Sequence, residues 1–193
     1  MVSDTKIKIA FPTFIFFAVL LLWNPSIYSF LPFLAAFLHE MGHITVMKLC
    51  GQKIHKITVL PFGVDIKKAP SVSSYKNDIA VSCSGVGANL FLTLFCFFLP
   101  PSPEINFFAA SNIVLAIVNI LPIKTLDGGE IVEKTIAYIY GTETAEKVIG
   151  ITSIISIMLI GALAIWILFS TSYNFSLLLM CIYLFCSIFL KKT

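Results

Sequence analysis

Residues 148–190 carry no charged side chain. That run is longer than the roughly 20 apolar residues one helix needs to cross a bilayer. Its one polar interruption is the Ser-Thr-Ser-Tyr-Asn segment at residues 170–174. Two membrane helices joined by a short turn are therefore expected. The rest of the chain has the same character: of its 193 residues 58% are apolar, 12% are charged and 18 are Phe. A soluble domain carries about a quarter charged residues, and one of this size has too little interior to bury so much apolar surface. Lipid must be the solvent for most of the chain. A soluble globular enzyme, a disordered tail and a secreted disulfide scaffold are excluded.

Four further apolar stretches, at residues 9–23, 28–49, 79–99 and 105–121, bring the expected crossings to about six. The first follows Lys6 and Lys8 as a signal peptide would, but no A-x-A cleavage site follows it, so it is expected to be a mature span. Charge placement supports the count. All 13 basic residues are Lys. With six crossings every one of them falls on the same side, and the segments 24–27, 100–104 and 170–174 have none. The positive-inside rule makes the lysine side cytoplasmic, with both termini there. A nucleic-acid partner is not expected, because there is no Arg and no basic patch. The five Cys lie in or beside apolar runs without a CxxC pair, which suits reduced membrane-interior residues.

The expected fold is an all-α polytopic membrane protein of about six transmembrane helices. One membrane-embedded domain is expected over residues 1–193, with no soluble CBS or PDZ domain. Two segments on the lysine side break the pattern. Residues 54–69 are rich in β-branched side chains around Pro61-Phe62-Gly63 and are expected to form a short β-hairpin. Residues 130–147 are expected to form a polar helix lying at the membrane interface.

Ionisable side chains inside a span are costly and mark function. The second span contains His39-Glu40-Met41-Gly42-His43, an H-E-x-x-H pattern. Residues four apart share a helix face, so His39 and His43 can bind one ion. Zn²⁺ suits two imidazoles, and Glu40 beside them can take a proton from water. The plain alternative is a polar seam of hydrogen-bonded side chains between helices. The third His, His55, sits among lysines and is expected to be solvated.

A catalytic zinc usually has three protein ligands. Asp127 is the expected third. It lies in Leu126-Asp127-Gly128-Gly129, shortly after Asn119-Ile120-Leu121-Pro122, where Pro and paired Gly imply irregular backbone at the end of the fourth span. The alternative for Asp127 is a turn or cap before Gly128, with Glu130 then next in line as ligand.

HEMGH on one span and NILPIKTLDGG after a later one resemble the site-2 protease family of intramembrane zinc metalloproteases. That family pairs HExxH with an N-x-x-P…D-G motif. A weaker family segment, G-P-x-x-N, is matched by Gly85 and Asn89, with Val86 where the family has Pro. The arrangement is similar to the branch that includes stage IV sporulation protein FB, without its CBS domain. The resemblance implies a multi-pass protein of a bacterial cell membrane that holds one Zn²⁺ through His39, His43 and Asp127, with Glu40 as general base. It implies cleavage of membrane-associated protein near the cytoplasmic face, in regulated intramembrane proteolysis of a transcription-factor precursor or anti-sigma factor. Regulatory membrane proteins and lipid are the other expected partners. Asn119 and Asn89 are candidates to bind the substrate backbone or steady the oxyanion, with interhelical hydrogen bonding as the alternative. Pro122 is expected to shape the cleft, and Phe62, at the hairpin turn, to plug the site at rest. Two rivals use the same residues without hydrolysis: a membrane zinc carrier, and a catalytically inactive scaffold for transmembrane partners.

Overall fold

The computed structural model describes residues 6–9, 26–52, 54–60, 63–68, 74–171 and 175–190. Among these lie three strands, β1 (Lys6–Ile9), β2 (Ile54–Leu60) and β3 (Gly63–Lys68). Six helices accompany them: α1 (Ile27–Leu49), α2 (Tyr75–Cys96), α3 (Pro103–Asn119), α4 (Asp127–Tyr140), α5 (Thr142–Thr171) and α6 (Ser176–Leu190). The chain divides into two compact units, Met1–Val118 and Asn119–Thr193. Among the described residues three helices, α1, α2 and α5, are long and apolar enough to cross a membrane, and α6 contains a shorter apolar stretch, Leu177–Ile188.

In the first unit α1 packs along α2. Ser26 caps α1 by accepting the Tyr28 N–H on its Oγ. Hydropathy alone expects the next span to start at residue 79, but α2 begins at Tyr75, preceded by Ser74 at the cap position. Its first turn is polar and includes Asp78, whose charge suits the positive end of the helix dipole and whose Oδ1 accepts from Gln52 Nε2 at 3.1 Å. A window that counts only apolar residues misses such a turn. At the start of α3 the Tyr28 hydroxyl donates to Glu104 Oε1 at 3.2 Å, and the Tyr28 ring meets Phe107 edge-on at 5.3 Å.

The expected hairpin is present. β2 and β3 pair antiparallel, with Ile57 opposite Ile66 and Leu60 opposite Gly63, and a bulge falls between Ile54 and Lys56. Phe62 lies outside the described residues. A third strand was not expected: β1 pairs parallel with β2, Lys6 opposite Lys56 and Ile9 opposite Val59. Ile9 therefore belongs to a strand and does not open a span; residues 10–23 of that expected span lie outside the described residues. The sheet order is β1-β2-β3. Met47, Ile54 and Val81 form a small core in this unit.

In the second unit α4 packs on α5 and α5 on α6, around a core of Ile123, Ile157, Cys181 and Leu184. The expected interfacial helix over residues 130–147 is two elements. Gly141, at φ +88°, ends α4, and residues 142–147 open α5 instead. A non-glycine residue is strained at that φ. Residues 120–126 form a turn between α3 and α4. Leu126 N–H donates to the Ile123 carbonyl at 2.8 Å. Lys124 N–H donates to Ser153 Oγ at 2.9 Å, and Ser187 Oγ donates to Thr125 Oγ1 at 3.3 Å. Small hydroxyl side chains of α5 and α6 thus hold the turn. The paired glycines let α4 start against it: a Cβ at Gly128 would strike the Ile120 carbonyl, and one at Gly129 the Ile123 carbonyl.

Gly129→Ala is therefore expected to destabilise the chain by about 1–3 kcal/mol through this overpacking. Gly150→Ala, where a Cβ meets nothing within 4 Å, is expected to be neutral or mildly stabilising. Unfolding midpoints in mixed detergent measure the difference; equal midpoints for the two variants would contradict the packing.

Candidate metal centre

One face of α1 repeats every four residues: Ala35, His39, His43 and Met47 are all buried. The repeat turns both imidazoles towards α2. Two glycines allow the close approach this needs. A Cβ at Gly42 would press on the Ser84 carbonyl oxygen at 2.8 Å and on the Ala88 Cβ at 2.9 Å, and one at Gly85 would collide with the rings of both His43 and His39. Small residues bring membrane helices together in this way.

The histidine pair is fixed from both sides. His43 Nδ1 lies 2.8 Å from the Val81 carbonyl oxygen. A carbonyl only accepts, so the proton of this ring is on Nδ1, and Nε2 keeps its lone pair. His39 Nδ1 lies 3.0 Å from the side-chain amide of Asn89. The rings meet edge to face at 84°, with centroids 4.8 Å apart, and the two Nε2 atoms stand 3.1 Å apart. Asn89 is fully buried, and His39 and His43 are 5% and 8% exposed. The α2 residues in contact, Val81, Gly85 and Asn89, themselves repeat every four residues. Glu40 is half-buried and follows His39 directly. It points about 100° further round the helix, towards the neighbouring face. His55 is exposed on β2, as expected of a solvated residue.

Two nitrogens bound to one tetrahedral zinc, each at about 2.0–2.1 Å, stand about 3.3 Å apart. The 3.1 Å between the two Nε2 atoms fits a shared ion of that size. Neutral imidazole is also the right donor for zinc, and buried imidazoles held at their outer nitrogens are what such a site requires.

In the second unit Asp127 is the first residue of α4 and is half-buried. An acidic side chain there stands at the positive end of the helix dipole. The turn at residues 120–126, with the half-buried Pro122, leads into it, and Glu130 lies three residues on in the same first turn. Asn119 is the last residue of α3 and is also half-buried. Sequence reasoning singled out His39, His43 and Asn89, which come together in the first unit. It missed the roles of Gly42 and of the Val81 carbonyl. The four-residue spacing of Gly85 and Asn89 was a usable signal; a backbone carbonyl leaves none.

The fold and the buried histidine pair define a membrane-embedded metal-binding protein with an HExxH helix. Known proteins resemble it in part. A match to peptidase family M50 covers residues 101–163, from α3 into α5 and including Asp127. The chain is 28% identical over 169 residues to zinc metalloprotease MJ0392 of Methanocaldococcus jannaschii, covering 79% of this chain and 50% of that protein. It is 25% identical over 163 residues to stage IV sporulation protein FB of Bacillus subtilis, covering 81% of this chain and 55% of that protein. The chain thus spans about half the length of these curated relatives. The solved structure of a site-2 protease from Methanocaldococcus jannaschii superposes with a TM-score of 0.56 at 25% identity, covering 92% of this chain and 86% of that one. The chain is thus similar, over part of its length, to peptidase family M50 and, in fold, to a solved site-2 protease.

Gly85→Ala is expected to push the two rings apart and lower zinc affinity by at least about 10-fold, on the scale of losing an outer-shell partner. Gly87→Ala, where a Cβ meets nothing within 4 Å, is the control and should bind as the wild type does. Chelator competition reads both; equal affinities would show that ring placement does not depend on the bare α2 surface at Gly85.

Proposed function

We propose that this chain is an intramembrane zinc endopeptidase that cleaves membrane-associated protein near the cytoplasmic face. The observation that carries the proposal is the buried imidazole pair, with Nε2 atoms 3.1 Å apart beside the half-buried Glu40. The proposed donor set for one zinc per chain is His39, His43 and Asp127, three groups of a kind suited to a metal ion. The relationship to peptidase family M50 supports the same set, since its match spans Asp127. Zinc held there would supply Lewis acidity towards a peptide carbonyl and bring the pKa of water towards neutrality.

The remaining steps belong to the chain. Glu40 accepts the proton of the attacking water and passes it to the leaving amine. Asn119 and the turn containing Pro122 position the substrate backbone. A substrate helix hides its carbonyls in i to i−4 bonds, so the bond to be cut must be extended. The edges of the β1-β2-β3 sheet offer such a strand a partner. Six crossings with both termini cytoplasmic, lipid contact along the apolar helices, and regulation by other membrane proteins complete the proposal. A transcription-factor precursor or anti-sigma factor is the substrate class it favours.

Glu40→Gln is expected to keep zinc while lowering cleavage by at least about 100-fold. Co-expression with tagged membrane proteins, followed by identification of new termini, measures this. New termini that persist undiminished would overturn the role of Glu40, and zinc uptake without any cleavage would favour a carrier. Asp127→Ala should lower zinc affinity by more than the about 10- to 100-fold that losing an outer partner costs. Full occupancy in that variant would move the third ligand to Glu130.

A further inference from the structure

We propose that Asn89 is a positioning residue for the metal, setting which nitrogen of His39 carries the proton and so whether Nε2 keeps a lone pair for the ion. The inference rests on the metalloprotease reading and deepens it. His43 needs no such help, because the Val81 carbonyl, 2.8 Å from its Nδ1, can only accept a proton. His39 is different. In the structure its Nδ1 faces Nδ2 of the Asn89 amide, but an amide turned by half can present its oxygen there instead, an acceptor in place of a donor.

The choice decides the chemistry. When Nδ2 of Asn89 faces His39, Nδ1 is the acceptor and the ring's proton lies on Nε2. The His39 Nε2–H then points at His43 Nε2, 3.1 Å away, and no lone pair remains for a cation. When Oδ1 faces His39, Nδ1 carries the proton and Nε2 offers its lone pair beside that of His43. A half-turn of the amide exchanges the two. Oδ1 of Asn89 is buried and, among the described residues, has no hydrogen-bond partner. The half-turn gives that oxygen the His39 Nδ1–H as donor, which matters because an unmatched buried acceptor is costly. Asn89 is completely buried, so water does not compete for either end. Ligating histidines characteristically donate their second N–H to a carboxylate or carbonyl oxygen. Here a side-chain amide on α2 takes that part for His39, and a backbone carbonyl two helical turns away takes it for His43.

The arrangement makes Asn89 an outer partner of the ion and puts its amide oxygen on an imidazole. An acceptor at this position is therefore sufficient, and a shape match without one is not.

The test is zinc affinity of the full chain in lipid nanodiscs, by chelator competition, for the wild type, Asn89→Asp and Asn89→Leu. Asn89→Asp keeps an acceptor and should bind within a few-fold of the wild type. Asn89→Leu should lose about 10- to 100-fold in affinity. A purely structural role would make the buried carboxylate at least as damaging as the leucine, so equal losses in the two variants would overturn the proposal. Wild-type affinity in Asn89→Leu would overturn it as well. Nitrogen NMR of ¹⁵N-histidine in the zinc-loaded wild type needs no variant. It should show a protonated Nδ1 on His39, and a protonated Nε2 there would refute the assignment. If the wild type binds no zinc, the metalloprotease reading falls and this inference with it; if it binds zinc and only the Asn89 results fail, the inference falls alone.

Discussion

The chemistry of this molecule depends on how closely α1 and α2 approach each other. Burying an imidazole in an apolar surrounding is costly unless its nitrogens are satisfied. Two such rings on one helix face, at His39 and His43, have little exposure. They are tolerated because α2 supplies a carbonyl at Val81 and an amide at Asn89 at the right height. Those groups reach the rings only because Gly42 and Gly85 remove the Cβ atoms that would hold the helices apart. Packing and donor geometry are thus one constraint: a larger residue at either glycine moves both.

The second unit solves a different problem, that of placing a carboxylate at the end of an apolar helix. After α3 the backbone turns sharply, and its polar groups need partners where water is scarce. Ser153 and Ser187 supply them from α5 and α6. Gly128 and Gly129 then let α4 begin hard against the turn, which puts Asp127 in the first turn of a helix, where a negative charge is favoured. Sequence reasoning took the glycines as a sign of irregular backbone; in the structure they lie inside α4, and the irregular backbone is what they touch.

Much of this was legible because it is periodic or compositional. The HEMGH spacing, the uncharged run at residues 148–190 and the turn signal in the hairpin each follow from a repeat or from one residue's backbone preference. The boundaries of α2 and α5 were less legible. Both open with polar residues: Lys76 and Asp78 in one, which a hydropathy window leaves outside the span, and Glu143, Glu146 and Lys147 in the other, which read as the end of an interfacial helix. β1 was missed although Lys6-Ile7-Lys8-Ile9 alternates with period two, because four residues beside an apolar run look like its charged flank. The Val81 contact had no sequence signal, since any residue could supply that carbonyl.

The central claim is that two imidazoles and a carboxylate share one small divalent cation. Zinc K-edge X-ray absorption on the purified, lipid-embedded chain tests it most directly. The account predicts one zinc per chain, with two imidazole nitrogens and oxygen completing a shell at about 2.0–2.2 Å. Absence of stoichiometric zinc, or a sulfur shell at about 2.3 Å drawn from the cysteines, would contradict it.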